Sequence, residues 1–283
     1  MSDNSVYQET SIRISNHNAI MRDRKCRTVI QNMREVEDFL SEFGFLSFGR
    51  DFISCRKYVL SLQVLSLSSE LTAGSIISCC ESGCLADANS LLRKLRDDLF
   101  FYLYVVVFDH AKMAEKPPKE VRKMEENINR WIENNLSDLS IGVILKTIGQ
   151  ISVAKDAVTR YNMQSYFDSI NIRLNNFVHG NGVFYYNRNV LSYKENALYE
   201  QLETILNDMR LIVVTFLFLL TLCAPLSIMS TDYIDYLEYN INPPEGSQYW
   251  VAPFITDFLY KNSDLIYKNC IDYLRENASM EFE

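Results

Sequence analysis

The residues best suited to chemistry lie in one stretch, INIRLNNFVHGNG, residues 170–182. Read as a helix, residues 171–179 put Asn175 and His179 four apart and Asn176 and His179 three apart, so the three share a face. Arg173 lies six positions before His179, nearly two turns away, and its long side chain is expected to reach the same neighbourhood. Histidine is the side chain whose charge changes near neutrality. Arginine presents a permanently charged planar fork suited to phosphate oxygens. An asparagine between them can orient the imidazole or bind a phosphate. Arg173, Asn176 and His179 together make a minimal kit for phosphodiester cleavage without a metal. The plainer account of His179 is structural. A histidine in the last helical turn can bond the final carbonyls and face the negative end of the helix dipole, with Gly180 as an ordinary stop.

A second polar cluster, Arg93, Lys94, Arg96, Asp97 and Asp98, falls midway along an otherwise apolar helical stretch. Arg93 and Asp97 are i, i+4 neighbours and can pair along the helix. On a solvated surface such a pair contributes only ~0–1 kcal/mol. Leu92, Leu95 and Leu99 flank the cluster, however, so some of these charges are expected to be partly buried, where an unpaired one is costly. Arg93 or Arg96 is therefore expected to face the cleft of His179, with Asp97 in support.

Other chemistries find little footing. The chain has no G-x-x-x-x-G-K-[ST], no G-x-G-x-x-G, no H-E-x-x-H and no G-x-S-x-G. With 9 glycines in 283 residues, a glycine-built phosphate cradle is not expected, and no cofactor is implied. The formal charge of −8 argues against coating nucleic acid by bulk charge, DNA above all, though not against a local basic site. Seven cysteines, an odd number, speak for a reducing compartment. The beginning, MSDNSVYQET, lacks the charged-then-apolar pattern of a secretory signal, so a cytoplasmic protein is expected. Cys79, Cys80 and Cys84 cluster, but without a second ligand pair or a nearby histidine they read as packing residues and not as a metal site.

These residues must be held by helices. Residues 1–50 read as an N-terminal extension whose basic run (Arg22, Arg24, Lys25, Arg27, Arg34) is a solvated helix face or, less simply, an arm for phosphates, with a break at Gly44 and Gly49. Residues 51–229 read as the helical core. Apolar residues three and four apart run to a stop at Ser82-Gly83, and a long helix follows toward Pro117-Pro118. Its YLYVVVF segment has strand-like composition but no break before it, which favours helix. Leu211–Met229 is uncharged and long enough to cross a bilayer. Pro225, Thr215, Thr221 and Ser227 interrupt it and no basic flank accompanies it, so a core helix is expected instead. Residues 230–283 read as a loop around Pro243-Pro244-Glu245-Gly246 and an amphipathic helix docking through Trp250, Phe254, Phe258 and Ile266.

The order Arg173, five residues, His179, Gly180, at the end of a helix in an all-helical chain, resembles the HEPN superfamily, whose signature is Arg, four to six residues, His. The segment CLADANSLLRKLRDDLFFYLY also looks like helices of bacterial HEPN-like proteins, and the resemblance spans roughly residues 55–220. It implies an all-α, antiparallel helical bundle and a metal-independent endoribonuclease acting on single-stranded RNA, its site composed across a homodimer. His179 would then move protons at the ribose 2′-hydroxyl and the leaving 5′-oxygen while Arg173 stabilises the scissile phosphate, leaving a 2′,3′-cyclic phosphate and a 5′-hydroxyl. Toxin and antiviral roles, with a regulatory protein partner, come with the resemblance. Leu174 departs from the pattern, since active members often carry a polar residue there. Many such proteins have lost catalysis, so a silent interaction or regulatory subunit is the alternative, and a membrane-associated protein using Leu211–Met229 is a third.

Overall fold

The helical period written through the sequence is realised almost throughout the computed structural model, which describes residues 3–46, 52–56, 58–115, 117, 119–135, 139–186 and 195–282. Within these, thirteen α-helices accompany one two-stranded hairpin, so the protein is all-α. The N-terminal pair is α1 (Asp3–Arg22) and α2 (Arg24–Leu46). The expected extension over residues 1–50 is corrected here. Helix α2 buries Cys26, Val29, Ile30, Met33, Val36, Phe39, Leu40 and Phe43, and these belong to the same core cluster as the later helices. Gly44 lies inside α2 and breaks nothing, while Gly49 lies outside the described residues.

Helix was also expected directly after residue 51, and the structure shows a hairpin first. Strands β1 (Phe52–Cys55) and β2 (Tyr58–Ser61) pair antiparallel with Phe52 opposite Ser61. Alternation explains it: Ile53 and Cys55 turn inward while Phe52 stays exposed. Lys112 fastens the hairpin to the body by donating to the Ser54 carbonyl at 3.0 Å.

Helix α3 (Leu62–Glu81) starts at Ser61, whose hydroxyl accepts from the Val64 amide at 3.4 Å. It ends in a Schellman turn, with Cys84 N donating to Cys79 O at 2.8 Å and Gly83 at φ +72°. A side chain at Gly83 would meet the Asn16 Cβ at 2.6 Å, so glycine is required there twice over. Helix α4 (Leu85–Lys112) then turns back antiparallel to α3. Its second half, through YLYVVVF, is buried on all sides and helical: with no turn residue before it, the helix continues and neighbouring helices bury it.

Around α4 lie α5 (Glu120–Ile132), α6 (Ile141–Ile148) and α8 (Met163–His179), with α7 (Ser152–Arg160) leading into α8 and α9 (Val183–Tyr186) following it. Helices α4 and α8 run antiparallel, since Phe100 meets Phe167 (ring centroids 4.9 Å apart) while Asn89 meets Arg173 further back. Helix α10 (Glu195–Cys223) packs on α2 and α4. It runs parallel to α2, with Lys25 near Tyr199 at one end and Phe43 near Phe216 at the other.

Residues 197–223 are long and apolar enough to cross a membrane, yet 89% of the most apolar window is buried within the protein. Its hydroxyls are satisfied internally: Thr215 donates to Leu211 O (2.7 Å) and Thr221 to Leu217 O (2.8 Å). The helix ends at Cys223, and Pro225 opens a short 3-10 turn. The C-terminal region holds α11 (Asp232–Glu238), α12 (Pro253–Asn262) and α13 (Cys270–Asn277), so the single amphipathic helix expected there is broken in two. A 3-10 turn over Ser263–Leu265 and a left-handed Asn269 make the break. Phe254 and Phe258 dock α12 onto Phe39 of α2, at 5.6 and 4.1 Å between ring centroids.

Candidate functional site

Helix α8 carries the signature residues and presents three faces. Met163, Phe167, Ile170, Leu174 and Phe177 form its buried stripe. At 100° per residue, Arg173 falls on one flank of that stripe and Asn171 and Asn175 on the other. His179 falls outward, between Asn175 and Asn176, and about 120° around the helix from Arg173. The expectation that the arginine and histidine reach one neighbourhood within a chain is thus corrected by helical geometry.

The Arg173 flank is closed. Its guanidinium donates to Asn89 Oδ1 on α4 (Nη1, 3.1 Å) and pairs through Nη2 with Asp208 Oδ2 on α10. Asn89 in turn donates to the Leu85 carbonyl at 2.7 Å, so the network is anchored at its far end. Asp208 is 8% exposed, and burial holds its carboxyl above the ordinary carboxylate range despite the adjacent guanidinium. Neither Asn89 nor Asp208 was singled out from sequence. The only signal was a lone acid before the apolar run of α10, in ILNDMRLIVV.

The other flank is open. A cleft of about 720 Å³ lies between α4 and α8, bordered also by Val64, Leu65 and Ser68 of α3, by α6 and by Trp131 of α5. Arg93, Arg96 and Asp97 line it, together with Asn171 and Asn175. Arg96 is 3% exposed, and its Nε and Nη2 donate to Asp97 Oδ1 at 2.9 and 2.6 Å while Nη1 donates to Asn171 Oδ1. Arg93 Nε stands 3.7 Å from the other Asp97 oxygen. Phe101 and Trp131 stack at 4.0 Å on the apolar side. Asn175 Oδ1 is buried with no donor among the described residues. The cleft therefore combines aromatic surface, two guanidiniums paired to Asp97, the Asp98 carboxylate and an amide oxygen with no donor among the described residues, a mixture of apolar wall and polar groups found in ligand sites.

His179 is the last residue of α8, exposed, with no hydrogen bond among the described residues. It stands one turn beyond Asn175, at i+4. Gly180 stops the helix at φ +57°, with Asn181 N on Asn176 O at 3.0 Å. Asn176 also accepts from Asn181 Nδ2 at 3.2 Å, so its side chain is engaged in the helix stop. The cysteines read as packing residues lie inside: Cys80 and Cys84 are buried and Cys79 is half-buried, and burial raises the thiol pKa of Cys79 and Cys80. Comparisons of the chain with protein-family models, with curated proteins and with solved structures gave no match.

Proposed function

We propose that the protein is a HEPN-like, metal-independent endoribonuclease acting on single-stranded RNA, with its site at the open flank of α8. The observation that carries this is the exposed imidazole of His179, with no hydrogen bond among the described residues, one helical turn beyond a cleft lined by Arg93, Arg96 and Asn175. In this arrangement His179 transfers the 2′-hydroxyl and leaving-group protons. Arg93, the more exposed of the two cleft guanidiniums, supplies positive charge to the developing phosphorane while Arg96 holds Asp97 and Asn171 in place, and Trp131, backed by Phe101, offers a surface on which a base can lie. Arg173 acts as a positioning residue: tied to Asp208 and Asn89, it fixes the rotation of α8 and hence the direction of His179.

A second copy of the chain completes the site in this proposal. Ile172 (67% exposed), Val183 (76%) and Phe184 (56%) surround the outer face of α8 and the turn after it, an apolar surface suited to a like partner. Pairing through this face brings two His179 residues to one groove, in keeping with the composite sites of the family the signature resembles. A cytoplasmic role in bacterial defence or a toxin system, under a regulatory partner, belongs to the same proposal.

Purified protein incubated with labelled single-stranded RNA in EDTA is expected to yield 2′,3′-cyclic phosphate ends. His179→Ala is expected to lower the rate by about a hundredfold or more, the usual worth of a general acid–base group. Its stability should stay within ~0.5 kcal/mol of the parent, because an exposed side chain outside the core is removed. Cleavage that survives His179→Ala unchanged overturns the proposal. One observation favours the alternative of a silent interaction subunit: the charge of Arg173 is already neutralised by Asp208. That alternative predicts a stable homodimer or hetero-complex by light scattering with no cleavage at all.

A further inference from the structure

A second cavity lies on the opposite side of α10 from the Arg173 network. Tyr199, Glu203, Asn207 and Arg210 recur every three to four residues along one face, and Arg210 points about 200° around the helix from Asp208. Facing them, α2 contributes Arg24, Lys25, Thr28 and Asn32, and the two helices border an open groove of about 320 Å³. Three cations thus face one carboxylate in a chain whose formal charge is −8.

The distinguishing feature is Arg210. Its Nε is buried without a partner, and its guanidinium makes no hydrogen bond or ion pair among the described residues. The nearby acids are already engaged. Glu35 pairs with Lys261 at 2.6 Å, Glu203 accepts from the Tyr199 hydroxyl at 2.9 Å, and Asp23 accepts from Lys25 N at 2.8 Å and from Cys26 Sγ at 3.4 Å. Burial weakens Arg210's hold on its proton, and the Glu35 charge nearby offsets this only in part. Arg24 and Lys25 also stand in the first turn of α2, which holds no acidic residue. Asp23, just before that turn, caps the helix start through the Lys25 amide, so the side-chain cations and not the helix pole supply the positive charge.

We propose that this cavity binds a small phosphomonoester, its phosphoryl group held by Arg210, Arg24 and Lys25 with Asn32 and Asn207 as neutral donors. A planar guanidinium matches phosphate oxygens two at a time, and partial burial strengthens the attraction. The volume exceeds what a bare phosphate ion fills and stands at the lower end of small-molecule sites, which suits a compact ester. This site does not depend on the ribonuclease proposal, since it lies across α10 from α8.

Titration calorimetry at physiological salt, with inorganic phosphate in one arm and a nucleoside 5′-monophosphate in the other, tests it. One-to-one binding is expected in the second arm, weakened about tenfold or more by Arg210→Met, as loss of a charge-assisted pair predicts. Arg122→Met, on the exposed surface of α5, should leave binding unchanged. Equal binding of inorganic phosphate would place recognition in the phosphoryl group alone and still support the site. No saturable binding in either arm overturns it, as does binding that Arg210→Met leaves intact. Thermal unfolding gives a second check without ligand. Arg210→Met should melt at or above the parent temperature, because an uncompensated buried charge has been removed. A drop of several degrees would mean that the guanidinium has a structural partner, and the proposal would fail.

Discussion

Two half-buried arginines meet different fates at helix α10: Arg173 reaches it from α8, and Arg210 projects from its opposite side. Arg173 finds Asp208 on that helix and Asn89 on α4, so its charge is answered within the fold. Arg210, two residues along α10 from that same aspartate, finds no partner among the described residues and borders a cavity that other cations share. The difference shows how one residue type serves two ends. A guanidinium with its carboxylate locks helices together, whereas one left without a carboxylate is held ready for an anion from outside. Arg96 stands between them: it is engaged by Asp97 and Asn171, yet lines the open cleft.

The contrast breaks most sharply at Asp208. Asp208→Ala leaves Arg173 facing α10 without its counter-charge and is expected to cost about 3 kcal/mol, read from urea unfolding, as for other severed buried pairs. Replacing both partners with apolar residues, as in Arg173→Met with Asp208→Leu, should recover most of that loss; a double variant as unstable as the single one would mean the pair does more than neutralise itself. Arg96→Met is next in size. It keeps the bulk but removes the donors to Asn171 and Asp97, and about 1–2 kcal/mol of stability should go with them. RNA cleavage should fall alongside if the cleft holds the phosphodiester.

The smallest effect lies in the pH dependence. Folded Asp208 keeps its proton to higher pH than the ordinary value of 3.8, so in that window the native state binds more protons than the unfolded one. Its own contribution to stability therefore declines as pH rises from 3.8 toward the raised value and is constant above it. Measured against Asp208→Asn, which does not titrate there, the parent should lose ground across that window. The opposite slope would show that Arg173 outweighs burial.

Much of the fold could be read from residue order. The helix over YLYVVVF, the burial of the apolar run before Pro225 and the stops at Gly83 and Gly180 all follow from local period and turn chemistry. The hairpin of β1 and β2 escaped because four-residue strands carry too few positions to separate period two from the helical period. The split C-terminal helix escaped because a left-handed Asn269 has no strong signature in its neighbours.

At the candidate site, sequence determined which residues share a turn of α8: the i, i+4 relation of Asn175 and His179 is a property of any helix. Which flank each residue faces, and what waits there, was decided only by tertiary packing. Arg173 turns to Asp208, thirty-five positions away. Arg96 turns to Asn171 from another helix, and Arg210, where α2 lies on α10, has no hydrogen bond or ion pair among the described residues. A helix fixes angles between its own side chains, but the partner of a buried charge is chosen by whichever distant segment the core brings against it.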